Sequence, residues 1–295
     1  MFFYLLYVVG SAFALILPRR FCLWLARSGA DYWSHHLVPL DRESVRLNLR
    51  AILGTQEVSD EMVSEVFRNF AIYLVDFFRI SAMKPQDLRR MVRLEGVDRM
   101  QAALAKGKGA IGLTAHIGNF ELAGALLSIL GMPVHAVVLT HQNRFVDAFF
   151  TRQRQRVGVK GIPVQKLSPR AFFDACMSVL KQGEVLALVG DRDFFNHGLV
   201  LPLFGKSIKI PTGPASFSVK TGAPIVPGFM VREEDGSYRL VLEEPIYAPE
   251  GVSREEAVRR MSEACLDIMA KYIRRYPTQW YSFKEFWRQI PAVVI

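Results

Sequence analysis

The chain has 295 residues, enough for one large core or two modest domains, and its composition is 51% hydrophobic and 12% aromatic. A mean hydropathy of +0.16 lies at the apolar edge of what soluble globular proteins show. The formal charge of +9, from 37 Lys+Arg against 28 Asp+Glu, favours anionic partners: nucleic acid, an anionic bilayer, an acidic carrier protein or a phosphorylated lipid. Nucleic acid is excluded by the lack of zinc spacings, RNP-like aromatics and basic runs. The three cysteines, Cys22, Cys176 and Cys265, are odd in number and widely spaced, and read as reduced, partly buried thiols rather than as a disulfide or metal set.

Residues 2–17, FFYLLYVVGSAFALIL, carry no charge and are followed by Pro18-Arg19-Arg20. A secretory signal has positive charge before its apolar stretch, and here the charge follows it. Sixteen helical residues reach about 24 Å, against roughly 30 Å of bilayer hydrocarbon, but Phe21 to Leu25 resume the apolar character. The expectation is an N-terminal membrane helix over residues 1–26, spanning or deeply embedded, with a buried core helix as the competing reading. If it spans, the basic chain beyond it faces the cytoplasm.

Residues 27–100 read as a helical, membrane-facing part. Arg42, Arg46 and Arg50 recur on one helical face, with Val45, Leu49 and Leu53 on another. A second apolar helix over 61–80 sets Phe67, Phe70, Leu74, Phe77 and Phe78 on one stripe, which serves either as core or as the wall of a lipid-accepting groove. From about residue 101 to 295 the rhythm becomes that of an α/β domain. Strands are expected over 109–115, 133–140, 159–164, 184–190, 223–231 and 238–244, with helices between most of them. Ligands bind at the carboxyl ends of such strands.

Two charged motifs sit at strand ends. In Ala115-His116-Ile117-Gly118-Asn119-Phe120-Glu121, a spacing of five separates His116 and Glu121 by about 140° on a continuous helix, so they cannot stack on one face. A strand–turn–helix arrangement solves this. With Gly118 and Asn119 in the turn, Glu121 folds back to the imidazole, fixing its tautomer and stabilising its protonated form, as a general base for a hydroxyl requires. His36 and Asp41 share the same spacing, but Pro39 lies between them and no strand precedes them. The second motif, Gly190-Asp191-Arg192-Asp193, reads as an ion network that positions substrate rather than as a metal site. Arg152, Arg154 and Arg156 spread around a helix, one or two of them facing the site.

Taken in order, TAHIGNFE, the Asn143–Gly158 stretch with Arg154 and Arg156, GDRDF, PLFG at 202–205, PTGPA at 211–215 and YPTQW at 276–280 resemble the lipid A biosynthesis acyltransferases, within the lysophospholipid acyltransferase superfamily. The resemblance implies an α/β fold with a mixed, mostly parallel central sheet flanked by helices, behind an N-terminal membrane helix. It implies an inner-membrane enzyme facing the cytoplasm, with no bound cofactor. Acyl-acyl carrier protein is the implied donor, and a hydroxyl of a phosphorylated glucosamine-based lipid the acceptor. Carried over by position, His116 is the base and Glu121 its partner, and Arg154, Asp191, Asp193 and Asn119 are substrate-site residues. Amides of the Gly118–Phe120 turn or an arginine hold the oxyanion, and Arg19, Arg20, Arg42, Arg46 and Arg154 draw in lipid phosphates or the carrier protein. Ala148, Phe149 and Gly190 depart from the family pattern. A lysophospholipid or phosphatidylinositol mannoside acyltransferase is the alternative of the same class, and a non-catalytic lipid-binding protein that of another.

Overall fold

The computed structural model describes residues 2–193 and 197–287; Phe194 of GDRDF and residues 288–295 of the expected domain lie outside these. Five helices come first: α1 (Phe2–Ile16), α2 (Arg19–His36), α3 (Pro39–Leu53), α4 (Asp60–Ile80) and α5 (Pro85–Met91). The α/β part then runs β1 (Val92–Glu95), α6 (Val97–Ala105), β2 (Ala110–Thr114), α7 (Phe120–Ile129), β3 (Val134–Val138), α8 (Arg144–Arg156), β4 (Val159–Pro163), α9 (Pro169–Lys181) and β5 (Val185–Val189). It continues through β6 (Leu199–Leu203), β7 (Lys206–Ile210), α10 (Gly213–Thr221), β8 (Ile225–Arg232), β9 (Tyr238–Leu242) and α11 (Arg254–Arg275).

The chain is therefore α/β with a mostly parallel central sheet flanked by helices. The sheet has seven strands in the order β1-β9-β8-β2-β5-β3-β4, and only the β8–β9 pair is antiparallel. All six expected strands are present. Two features were not anticipated. β1 is a four-residue edge strand of which only Val92 is buried, so it has no apolar run to announce it. β6 and β7 form a separate two-stranded antiparallel hairpin. Its two-residue loop puts Phe204 at φ 50° and Gly205 at φ 77°, the left-handed pair that a tight hairpin needs.

The apolar N-terminus does not form one continuous helix through residue 26. Leu17 and Pro18 end α1 after fifteen residues, about 22 Å of helix, and the chain restarts as α2. No helix among the described residues is long and apolar enough to cross a membrane. One side of α1 packs on α4 and α8: Ala14 is buried and Tyr7 contacts Phe78, Phe149 and Phe150. The other side leaves Leu5, Val9, Phe13 and Ile16 exposed, and α2 adds exposed Phe21, Trp24 and Leu25 beside them.

The arginines of this layer hold helices together. Arg19 makes a bidentate pair with buried Asp76 of α4, both contacts at 2.8 Å, and Asp76 also accepts from the Tyr238 hydroxyl at 2.7 Å. Arg42 is buried against Ser34, Ser64 and the Asp60 carbonyl, and Arg46 pairs with the Asp60 carboxylate. Of the residues expected to draw in lipid phosphates, Arg20 is exposed, whereas Arg19, Arg42, Arg46 and Arg154 are paired with carboxylates of the protein itself.

Candidate active site

β2 and β5 are adjacent and parallel, with Thr114 opposite Val189. Two residues beyond that pair, His116 and Asp191 emerge at the same height from the carboxyl edge of the sheet. His116 Nδ1 lies 2.7 Å from Asp191 Oδ1, and the His116 amide donates to Oδ2 at 3.2 Å. The Trp280 indole N–H also donates to Oδ2, at 2.9 Å. Asp191 is 2% exposed. Burial alone would raise its pKa, but the charge and hydrogen bond of His116, with Arg192 and Trp280, outweigh it and hold the carboxyl well below the usual carboxylate range. An ionised Asp191 keeps the proton on Nδ1 and leaves Nε2 with its lone pair as the nitrogen open to a substrate.

This corrects the expected pairing. The partner of His116 is Asp191, and Glu121 binds Arg154 instead. Arg154 Nε stands 3.0 and 3.1 Å from the two carboxylate oxygens of Glu121, and Arg154 donates a second N–H at 2.5 Å. Both side chains are largely buried, 15% and 12% exposed. Burial would lower the arginine's pKa, and the Glu121 charge and hydrogen bonds more than offset it, leaving the pKa raised. Arg152 and Arg156, the other members of the alternating triplet, are exposed.

The turn between β2 and α7 is fastened by the segment that follows α11. The His116 carbonyl accepts from Tyr281 N–H at 2.8 Å, and Gly118 N–H donates to the Gln279 carbonyl at 2.9 Å. Gly118 has φ +58°, and a Cβ there would lie 1.8 Å from the Met230 carbonyl oxygen, so only glycine fits. Asn119 is buried and caps α7, its Oδ1 accepting from Leu122 N–H at 3.0 Å, while its own amide donates to the Met230 carbonyl at 2.8 Å. Asn119 thus serves the turn. The Gly118 and Asn119 amides are committed to carbonyls and are unavailable to an oxyanion. Asp193, on the same carboxyl edge after β5, accepts from Gly198 N–H at 2.6 Å through Oδ2. His36 lies exposed at the end of α2, its ring tilted against that of Tyr32 with centroids 4.9 Å apart.

His116, Glu121, Arg154, Arg192 and Asp193 line a cavity of about 870 Å³, towards the large end of ligand pockets, and most of the remaining wall is apolar. From α4, Phe70, Tyr73 and Leu74 contribute to that wall. Tyr73 is buried with its pKa raised well above the ordinary value, by burial first and by Glu121 second, so its hydroxyl stays neutral. Three contributions escaped sequence reasoning. Trp280 was visible only as part of YPTQW, without its target. Arg192 was read only as a member of the charged network. The row of small residues Gly112, Ala187 and Ala136, paired across β2, β5 and β3, was hidden inside otherwise apolar strands. Among the described residues no group of three or more His, Cys, Asp or Glu is placed to hold a metal ion.

A buried carboxylate–imidazole pair at the mouth of a large apolar cavity, on the carboxyl edge of a parallel sheet, defines a site for proton transfer on an apolar substrate. The chain belongs to the bacterial lipid A biosynthesis acyltransferases, whose family model matches residues 1–289. It is 25% identical to the phosphatidylinositol mannoside acyltransferase of Mycolicibacterium smegmatis, over 95% of this chain and 90% of that protein. The Mycobacterium tuberculosis protein of the same name is 27% identical, over 88% and 80%. The lipid A biosynthesis palmitoleoyltransferase of Escherichia coli is 26% identical, over 81% of this chain and 76% of the other.

Proposed function

We propose that the protein transfers a fatty acyl chain from an acyl thioester, with acyl-acyl carrier protein as donor, to a hydroxyl of a phosphorylated glycolipid. The observation that carries this reading is the Asp191–His116 pair opening onto the apolar cavity. His116 Nε2 takes the proton of the acceptor hydroxyl as its oxygen attacks the thioester carbonyl. The resulting oxyanion lies within the field of Arg192, beside the first-turn amides of α7 that are not used by the Asn119 cap. Collapse of the tetrahedral adduct breaks the C–S bond, and the proton held on Nε2 leaves with the thiolate. Glu121 acts through Arg154 as a clamp on the helix walls of the site.

Two acceptors fit this chemistry. A lipid A precursor follows from the motifs and the family. A phosphatidylinositol mannoside is favoured by the two mycobacterial relatives, which align over more of their own length than the E. coli protein does. The test is a purified-protein assay of acyl-carrier thioesters against a lipid A precursor, phosphatidylinositol mannosides and lysophospholipids. Acyl transfer to one glycolipid class is expected. Thioester consumption at the background rate with every acceptor would overturn the reading in favour of a non-catalytic lipid binder.

The exposed apolar faces of α1 and α2 are read as lying in the interface of an anionic bilayer, the inner membrane with the site on its cytoplasmic side. In a flotation assay the protein is expected to rise with vesicles containing anionic lipid, and L5E/V9E/F13E is expected to stay behind. Retention of full binding by that variant would sink this placement.

A further inference from the structure

The cavity lies on both faces of the central sheet. Along a strand, alternate side chains point to opposite faces, yet three neighbouring strands each give the cavity wall residues of both kinds: Gly112 and Leu113 from β2, Ala187 and Leu188 from β5, Ala136 and Val137 from β3. The strand-end residues Thr114, Val138 and Val189 line it as well, so the cavity is continuous around the carboxyl edge of these strands, with one arm on each face and His116 between them.

The first arm runs under α6 and α7. Its floor is formed by Met100, Leu127, Val185 and Leu240 of the core on that face, and the small row Gly112, Ala187 and Ala136 hollows out its wall. A Cβ added at Gly112 would lie 3.4 Å from Val185 and 3.9 Å from Met100, in ordinary contact with both. The second arm lies on the opposite face, under α9 and α10. It is walled by Leu167, Phe172, Phe173 and Phe217, which belong with Leu113 and Leu188 to a separate core. Phe173 and Phe217 are stacked with ring centroids 5.4 Å apart. Proton transfer at His116 does not itself require this second arm.

The chemistry of the two substrates decides which arm takes which. The donor's hydrocarbon is bonded directly to the reacting carbonyl carbon, so it must start beside His116. The first arm begins there, since Glu121, Ala123 and Gly124 of α7 line it immediately after the His116 turn. The acceptor's hydroxyl is separated from its hydrocarbon by a polar headgroup, so its chain enters at a distance. The second arm is set off from His116 by the edge of β5, and its rim carries His197, Thr212 and Ser216, hydrogen-bonding groups that suit a sugar headgroup.

We propose that the α9/α10 arm holds a hydrocarbon chain of the acceptor lipid while the α6/α7 arm holds the donor acyl chain, the two meeting over the edge of β5 at His116. This rests on the acyltransferase reading. The full-length protein would be photolabelled with two probes: an S-hexadecyl-pantetheine thioether with a diazirine at the chain end, and a dodecyl glucoside with a diazirine in its alkyl chain. The first is expected to label peptides of Ala110–Thr114 or Phe120–Ile129, and the second those of Pro169–Lys181 or Gly213–Thr221. Ser216→Trp and, independently, Leu167→Trp should weaken the glucoside's apparent affinity at least about tenfold, equivalent to about 1.4 kcal/mol, and leave thioether labelling unchanged. Glucoside labelling of the α6/α7 peptides, or glucoside affinity that survives both tryptophans, overturns the assignment. Failure of the reaction reading looks different: both probes label as assigned, but the wild-type protein consumes no acyl thioester.

Discussion

Asp191→Asn is expected to lower kcat by about 10²- to 10⁴-fold with little change in KM for the thioester, approaching the loss caused by His116→Ala. An asparagine keeps the shape of the residue, but its amide can donate towards Nδ1. The proton then shifts to Nε2, and the nitrogen facing the substrate ceases to be a base. The carboxylate's depressed pKa also makes a pH statement. A group whose pKa is lower folded than unfolded stabilises the fold fully above the ordinary carboxylate range, and that contribution is lost as pH falls below it. Acid unfolding of the wild type should therefore be steeper than that of Asp191→Asn below about pH 4. Steady-state kinetics and acid titrations followed by circular dichroism test both points. An Asp191→Asn enzyme with more than half of wild-type kcat would remove Asp191 from the mechanism.

Glu121→Ala is the second large effect, and its origin is different. It strands the Arg154 guanidinium in a site where the side chain is only 15% exposed. Removing one partner of a buried pair costs roughly 3–5 kcal/mol, and the lower end applies here because some solvent reaches both groups. Glu121→Ala/Arg154→Met should recover much of the loss, since a volume-matched apolar replacement leaves no buried charge. Thermal and urea unfolding of the two single variants and the double variant would measure the coupling. If Glu121 were instead a direct partner of His116, activity would collapse in Glu121→Ala and its stability would hardly move.

The contrast between these two carboxylates shows what could be read along the chain. His116 was legible because an apolar strand, a Gly-Asn turn and an apolar helix surround it. Its partner was not, because Asp191 arrives from 75 residues away in sequence. Their meeting depends on β2 and β5 being neighbours, which strand-by-strand periodicity does not encode. The strand order would have sufficed, since the Thr114–Val189 register brings residues 116 and 191 level. Glu121 was drawn to His116 because it was near in sequence, while the arginine that holds it sits on α8. The hairpin β6–β7 was missed although Leu199–Leu203 and Lys206–Ile210 flank Phe204-Gly205; a phenylalanine is an unusual occupant of the first loop position, so the turn signal was weak. The apolar N-terminus was read as longer than it is because hydropathy does not register the break that Pro18 imposes on the helix.

The pairing of Arg19 with Asp76 has a practical consequence for anyone seeking a better-behaved protein. Deleting α1 and α2 to remove the greasy surface would take away the guanidinium that neutralises Asp76, which is 4% exposed in the core and otherwise held by the Tyr238 hydroxyl. The truncated protein would carry an orphaned charge beneath its sheet and is expected to unfold or aggregate. Repainting the outward positions Leu5, Val9, Phe13 and Ile16 with polar residues, and leaving Arg19 in place, is the route to a soluble form.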